Sequence, residues 1–169
     1  MTNNIHHKNN LSLAIAPSSR GFGFAVLEGE GLVDWGVKSV TGDKNVGTMK
    51  QAEKMIAHYK PGVLVLPDAS AKSSRRCPRI RALTKEISAM AASRRIKVAI
   101  VSRKQVMEAF FIDGTGTKYT IAKFLAIRFR EELGPRLPPK RKDWESEDYR
   151  MGIFDAVALA LARQLRKKQ

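Results

Sequence analysis

Cysteine, long apolar runs and acidic side chains are all scarce in this sequence of 169 residues. Its single cysteine, Cys77, excludes an internal disulfide and a cysteine-based zinc cluster within the chain. Apolar runs such as residues 63–66 are far shorter than the roughly 20 residues of a membrane-spanning helix. The first ten residues have no apolar segment of the kind found in secretory signal peptides. We therefore expect a cytoplasmic protein that makes no membrane contact.

The scarcity of acids leaves a large positive charge, because 31 Lys and Arg face 16 Asp and Glu for a formal net charge of +15. Residues 72–104 hold eleven of the bases and a single acid, Glu86. A solvated helix face is the ordinary explanation of a charge run, but such faces normally mix both signs to avoid self-repulsion. We favour an anionic partner. Nucleic acid is preferred over a membrane surface because the stretch has no Trp or Phe.

The chain has the length and composition of one folded domain. Hydrophobic residues make up 43% of it, which is enough to fill a single core, and charged residues make up 28%, which is ordinary for a globular domain. No internal repeat or long linker divides it. We predict a flexible leader over residues 1–10 and one domain over residues 11–169.

Apolar runs separated by turn residues predict five strands, at residues 11–16, 22–27, 32–37, 63–66 and 97–101. Helical spacing predicts four helices, at about residues 49–59, 78–90, 118–133 and from Ser146 onwards. In this interpretation Gly134 ends the third helix and Ser146 caps the fourth. The order βββαβαβαα predicts an α/β fold in which a three-stranded antiparallel meander is extended by parallel strands. The result is a mixed five-stranded sheet flanked by helices.

Three carboxylates are candidates for a functional site. Asp155 falls on the apolar stripe of the last helix, where a charge must be paired, neutral or metal-bound; an ion pair with an arginine is the structural alternative. Asp68 follows an apolar strand, at the strand end where α/β sheets commonly bind ligands, although it could simply be a turn residue. Asp148 precedes Asp155 by seven residues, which would place both on the same face of the last helix about 10 Å apart, but helix capping would also explain its presence.

Three segments resemble RuvC-like Holliday junction resolvases of the RNase H-like superfamily. The first is Leu-Ala-Ile-Ala-Pro-Ser-Ser-Arg-Gly-Phe-Gly-Phe-Ala-Val at residues 13–26, which is similar to that family's opening strand, turn and second strand. The second is Gln105-Val106 followed by Gly-Thr-Gly-Thr-Lys at residues 114–118. The third is Phe-Asp-Ala-Val-Ala-Leu-Ala at residues 154–160, which is similar to the closing helix. The three occur in the family's order.

The resemblance implies a nuclease in which carboxylates hold Mg²⁺ or Mn²⁺ ions that activate water for phosphodiester cleavage. It implies that Asp155 and Asp68, with Asp148 as a third acid, are the catalytic metal ligands. The substrate would be branched DNA such as a Holliday junction, with structured RNA as an alternative, and the protein would be a homodimer. We expect the phosphate contacts to come from a set of bases, namely Arg75, Arg76, Arg79, Arg81, Arg94, Arg95 and Lys118.

The sequence departs from the family pattern at two positions. Ala16 stands where the first strand of the family has a ligating aspartate, and Gly152 stands where another acid is often found. Three hypotheses follow: a metal-dependent endonuclease, an RNase H-like domain that binds structured nucleic acid but is catalytically impaired, and a basic subunit of a protein–RNA assembly.

Overall fold

The computed structural model describes residues 10–70, 77–113 and 115–168. The strands are β1 (Leu11–Pro17), β2 (Gly21–Glu28), β3 (Gly31–Ser39), β4 (Val63–Pro67) and β5 (Lys97–Val101). The helices are α1 (Lys44–Tyr59), α2 (Pro78–Ser93), α3 (Arg103–Phe110), α4 (Lys118–Arg128) and α5 (Met151–Lys167). The predicted leader lies outside the described residues except for Asn10. No helix in the described part is long and apolar enough to cross a bilayer.

The five strands form one mixed sheet in the order β3-β2-β1-β4-β5. Strands β1, β2 and β3 pair in antiparallel fashion, whereas β1, β4 and β5 run parallel to one another. The predicted fold class, an antiparallel meander extended by parallel strands, is therefore confirmed. Because β1, β4 and β5 are parallel, their carboxyl ends share one edge of the sheet, which we call the carboxyl edge.

The two faces of the sheet carry side chains of different size where β1 and β2 cross the core. One face presents Gly23, Ala14, Ala16 and Ala25 to α3, α4 and α5, with Leu27 near the end of β2 as its one large side chain in these strands, and we call it the small-residue face. The opposite, large-residue face packs against α1 and α2. Its β1 and β2 side chains are Leu13, Ile15, Phe22, Phe24 and Val26. The alternation follows from the two-residue period of a strand.

Small residues allow α5 to lie unusually close to the sheet. A Cβ atom added to Gly23 would lie 2.0 Å from the carbonyl oxygen of Gly152, so that strand β2 and the first turn of α5 meet backbone to backbone. Gly23 is also the register partner of Ala16 on β1. This contact places the first turns of α5 over the carboxyl end of β1.

The structure differs from the predicted helices in three places. Helix α3 was not predicted, although a capping box marks its start: Gln105 N–H donates to Ser102 Oγ, and Ser102 N–H donates to Gln105 Oε1. Helix α4 ends at Arg128 rather than near Leu133, and Gly134 begins a short 3₁₀ turn instead of capping α4. The α5 helix begins at Met151 rather than after Ser146, so residues 146–150 form an irregular approach to it.

Candidate functional site

An open cleft of about 1480 Å³ lies at the carboxyl edge of the sheet. Its walls come from the ends of β1, β4 and β5, the loop after α3 and the starts of α3, α4 and α5. Its charged side chains are Asp68, Arg103, Lys104, Glu108, Asp113, Lys118, Glu147 and Asp155. The fold thus brings Asp68 and Asp155 to one cleft from positions 87 residues apart in the sequence.

Lys118 joins two of the cleft carboxylates. Its Nζ lies 2.9 Å from Asp155 Oδ2 and also contacts Glu147 Oε1. The three side chains are partly enclosed, with exposed fractions of 42% for Lys118, 48% for Glu147 and 30% for Asp155. The pairing that was the structural alternative for Asp155 is therefore present, but with a lysine of a different helix rather than an arginine.

The local structure fixes where Lys118 begins its helix. Thr117 is the N-cap of α4 and accepts from Thr120 N–H, while Thr120 Oγ1 accepts from Thr117 N–H. Lys118 is consequently the first residue of α4, where the positive end of the helix dipole disfavours a cation. The acids in its surroundings, rather than helix preference, account for a lysine at this position.

The same acids hold the Lys118 side chain in its charged form. Burial by itself would lower the pKa of Lys118, but the negative charges and hydrogen bonds of Asp155 and Glu147 outweigh burial and raise the pKa above its ordinary value. Lys118 therefore places a permanent positive charge inside the cleft at neutral pH.

Asp68 lies at the cleft end of β4, as the sequence predicted. Its backbone N–H donates to Val101 O at the end of β5, and its Oδ1 accepts from both the backbone N–H and the hydroxyl of Ser70. This local turn leaves the second carboxylate oxygen, Oδ2, without a hydrogen bond of this kind in the described residues. Asp68 is thus part of a local turn and also lines the cleft.

Asp148 does not line the cleft. The Nε and Nη2 atoms of Arg150 donate to its Oδ1 and Oδ2 at 2.9 and 2.7 Å, and the backbone N–H of Arg150 donates to Oδ1 at 2.9 Å. These hydrogen bonds lower the pKa of Asp148 below its ordinary value. Because α5 begins only at Met151, the predicted same-face relation of Asp148 and Asp155 on one helix is wrong. The acid of this segment that reaches the cleft is Glu147.

The donor set does not fit the two-ion centre that the resemblance implies. Ala16, which is 4% exposed at the end of β1, lines the cleft without a ligating atom. The Lys118 ammonium lies against Asp155 and Glu147, so two of the available carboxylates already face a cation. Within residues 10–70, 77–113 and 115–168, no three His, Cys, Asp or Glu side chains are grouped closely enough to hold a metal ion.

The predicted phosphate-binding arginines are spread along α2 rather than gathered at the cleft. Arg79, near its start, donates to Asn45 Oδ1 at 2.9 Å and to the carbonyl of Ser18, a cleft residue, at 3.5 Å. Arg81, two residues further on, is exposed. Arg94 pairs with Glu53 of α1, and Arg95 follows it, at the far end of a helix about 24 Å long. Arg75 and Arg76 lie outside the described residues.

Other cleft bases were not singled out from the sequence. Arg103 and Lys104 line the cleft at the start of α3, and Lys104 lies 3.8 Å from Glu108 one turn along that helix. Outside the cleft lining, Arg20 in the turn between β1 and β2 is close enough to Asp148 to help lower its pKa. The position of Arg103 and Lys104 directly after strand β5 was the available signal, since ligands gather where parallel strands end.

Comparison with solved structures identifies the fold. RuvC of Thermus thermophilus matches with a TM-score of 0.67 and 15% identity over 94% of this chain and 95% of RuvC. The same protein in complex with Holliday junction substrate matches equally well over 95% of this chain and 96% of RuvC. The yeast mitochondrial Holliday junction resolvase Ydc2 matches with a TM-score of 0.60 and 12% identity, over 95% of this chain and 81% of that one.

No protein-family model and no curated protein sequence matches the chain. The likeness therefore belongs to the three-dimensional structure, and it confirms that the chain has the RuvC-like, RNase H-like fold. The RuvC matches span nearly the whole of this chain and of RuvC.

Proposed function

We propose that this chain binds branched or otherwise structured nucleic acid at its carboxyl-edge cleft, and that its capacity for phosphodiester hydrolysis is impaired. The observation that carries the proposal is the composition of the cleft. Basic side chains stand at its rim, whereas Ala16 occupies the position from which the fold's nucleases take a carboxylate. Branched DNA is the favoured ligand because the solved RuvC complex of this fold contains a Holliday junction.

Electrostatics supports a polyanionic ligand. The chain has a formal net charge of +15, so a nucleic acid is attracted from a distance and loses affinity as salt rises. Arg103 and Lys104 are the cleft bases nearest the surface, and Lys104 is 85% exposed. We assign these two residues to phosphate contact, together with Arg79 and Arg81 at the adjacent start of α2.

A pair of matched double variants tests this assignment. Arg103→Glu with Lys104→Glu reverses two charges after the end of β5, whereas Arg95→Glu with Lys97→Glu reverses two charges at its beginning, about 20 Å away. Binding to a labelled four-way junction in EDTA is measured by fluorescence anisotropy over a range of salt concentrations. The first variant should lose at least about tenfold in affinity and lower the salt slope by about 2, with only a small change in the second.

Equal losses in the two double variants would overturn the cleft as the binding surface and would favour a diffuse contact through the whole basic surface. Failure of the native chain to bind the junction even at low salt would remove nucleic acid as the ligand. A folded protein partner, as in the protein–RNA assembly hypothesis, would then be the better explanation of the charge.

A metal-dependent endonuclease is the second candidate, and one observation favours it: acids outnumber bases among the charged residues of the cleft, with Asp68 and Asp155 both present. In this hypothesis Asp155 and Asp68 would hold Mg²⁺ or Mn²⁺, whereas the third predicted ligand, Asp148, is paired with Arg150 outside the cleft lining. Cleavage of the labelled junction in either metal is compared between the native chain and Asp155→Asn, with linear duplex and single strands as controls. Cleavage that Asp155→Asn abolishes would establish the nuclease and overturn the impaired-hydrolysis proposal.

We further propose that the chain acts as a homodimer, since a four-way junction presents two symmetric arms to a two-fold protein. Sedimentation velocity of the free chain and of its junction complex measures this directly. Two protein chains per junction are expected, and a single chain per junction would overturn the proposal.

A further inference from the structure

We propose that Lys118 is a built-in counter-cation of the cleft and that its ammonium takes the place of a divalent metal ion between Asp155 and Glu147. The inference rests on the proposed function for its biological meaning, because it explains how the cleft could bind nucleic acid with no metal. Its test, however, uses no nucleic acid, so the two proposals can fail separately.

The Lys118 ammonium contacts two carboxylates at once. Lys118 Nζ lies 2.9 Å from Asp155 Oδ2 and contacts Glu147 Oε1, so one ammonium bridges carboxylates from two separate segments of the chain. A Mg²⁺ or Mn²⁺ ion would need the same carboxylate oxygens as ligands. The ammonium and the metal ion therefore compete for one position, and the ammonium is tethered to the chain.

The effective concentration of the tethered cation favours Lys118. Its backbone is fixed by the Thr117–Thr120 capping box, so only the side chain is ordered when the ion pairs form. The residue also stands at the helix end where a cation is least favoured, which indicates that its acidic partners outweigh the dipole. A lysine on the far end of α4 would have neither feature.

The absence of an acidic side chain at position 16 also bears on metal binding. An aspartate at position 16 would add a third carboxylate, and so enough negative charge to attract a divalent ion in addition to Lys118. With Ala16, the cleft offers Asp155 and Glu147, and both are already in contact with the Lys118 ammonium. Removal of the Lys118 ammonium, or addition of a carboxylate at position 16, is therefore not sufficient by itself for metal binding. Conversion to a metal-binding cleft requires both removal of the ammonium and addition of a carboxylate.

Binding of Mn²⁺ alone, followed by the loss of the free-ion electron paramagnetic resonance signal, tests the inference. The native chain, Lys118→Met, Ala16→Asp and the double variant are compared, with Lys118→Arg as the variant that keeps the cation. The double variant should bind Mn²⁺ at least about tenfold more tightly than the native chain and than either single variant. Lys118→Arg should match the native chain, and circular dichroism establishes that each variant is folded.

A second measurement uses the native chain and does not depend on any variant. The rate at which acetic anhydride modifies Lys118, followed by peptide mass spectrometry, is compared with and without Mn²⁺ at millimolar concentration. An unchanged rate is expected, because the metal does not displace the ammonium. A rise in the rate, tight Mn²⁺ binding by the native chain, or a folded double variant that binds no better than the native chain would each overturn the inference.

Discussion

The small-residue and large-residue faces of the sheet perform different tasks. The large-residue face is filled by side chains such as Leu13, Ile15 and Phe24, which meet the apolar stripes of α1 and α2. The small-residue face has Ala14, Ala16, Ala25 and Gly23 in the same strands. Only the helices of that second face, α3, α4 and α5, contribute side chains to the cleft.

The two faces therefore make different contributions, one mainly to the stability of the fold and the other also to the cleft. Large side chains bury more apolar area and dominate the free energy of folding. Small side chains instead let a helix approach the sheet closely, and that approach places Asp155 beside the carboxyl edge. A mutation on the large-residue face should therefore change stability more than cleft function, whereas one on the small-residue face should change both.

Leu83→Ala is the largest expected effect and isolates the large-residue face. Leu83 is fully buried on α2, so its truncation should leave a cavity and lower the free energy of unfolding by about 2–5 kcal/mol, measured by urea denaturation. Ile127→Ala on α4, where the side chain is 76% exposed, is the control and should change stability by less than about 0.5 kcal/mol. Junction affinity of folded Leu83→Ala should equal that of the native chain; a tenfold loss would contradict the separation of tasks.

Gly23→Ala tests the small-residue face with a single methyl group. The added Cβ would lie 2.0 Å from Gly152 O, so α5 must move away from the sheet, at a cost of about 1–3 kcal/mol. Gly31→Ala is the matched control, because its Cβ would lie 3.4 Å from Glu28 O at the edge strand. Junction affinity should fall in Gly23→Ala, unlike in Leu83→Ala. Equal stabilities of the two glycine variants would refute the close approach.

The same contrast explains how much of the fold could be predicted from the sequence. The five strands and the helices of the large-residue face follow from apolar periodicity, which large side chains express clearly. The start of α5 was misplaced because Ser146, Glu147 and Asp148 have the composition of a helix start, whereas the helix begins at Met151, beside the close contact of Gly152 with Gly23. A backbone-to-backbone contact between distant glycines leaves no periodic signal.

The candidate site was predictable only in part for a related reason. Asp68 and Asp155 could be chosen individually, since each is a carboxylate in a position that the pattern around it marks. The bridge from Asp155 through Lys118 to Glu147 joins residues up to 37 positions apart. Pairing of this kind depends on tertiary structure, and a total of 31 Lys and Arg residues offers too many alternative partners for a sequence pattern to select one.

Thr117→Ala should have a smaller effect, confined to the helix that carries Lys118. Loss of the N-cap oxygen leaves the Thr120 N–H without its acceptor and should cost about 1 kcal/mol of unfolding free energy. Thr117→Ser keeps the hydroxyl and should restore most of that stability. Thr115→Ala, two residues earlier in the loop, is the control for a threonine outside the cap. A loss in Thr115→Ala as large as in Thr117→Ala would contradict a specific role for the cap.

The smallest predicted effect is a pH dependence of stability that involves two residues outside the cleft. Tyr59, at the end of α1, donates a hydrogen bond to Asp34 of β3, and burial followed by the contact with this carboxylate raises the pKa of Tyr59 to about 12. Because the folded pKa exceeds the unfolded value of about 10, the stabilising contribution is complete below pH 10 and is lost as pH rises towards 12.

The difference in absorbance at 295 nm between the native chain and Tyr59→Phe, followed as pH rises, reports ionisation of this one phenol. A midpoint near pH 12 is expected, and Asp34→Asn should shift it downward because the negative charge that opposes ionisation is removed. The junction affinity of Tyr59→Phe at neutral pH should be unchanged, since Tyr59 and Asp34 do not line the cleft. A change in affinity would mean that β3 and α1 communicate with the carboxyl edge, and the division of tasks between the two faces would then need a coupling between them.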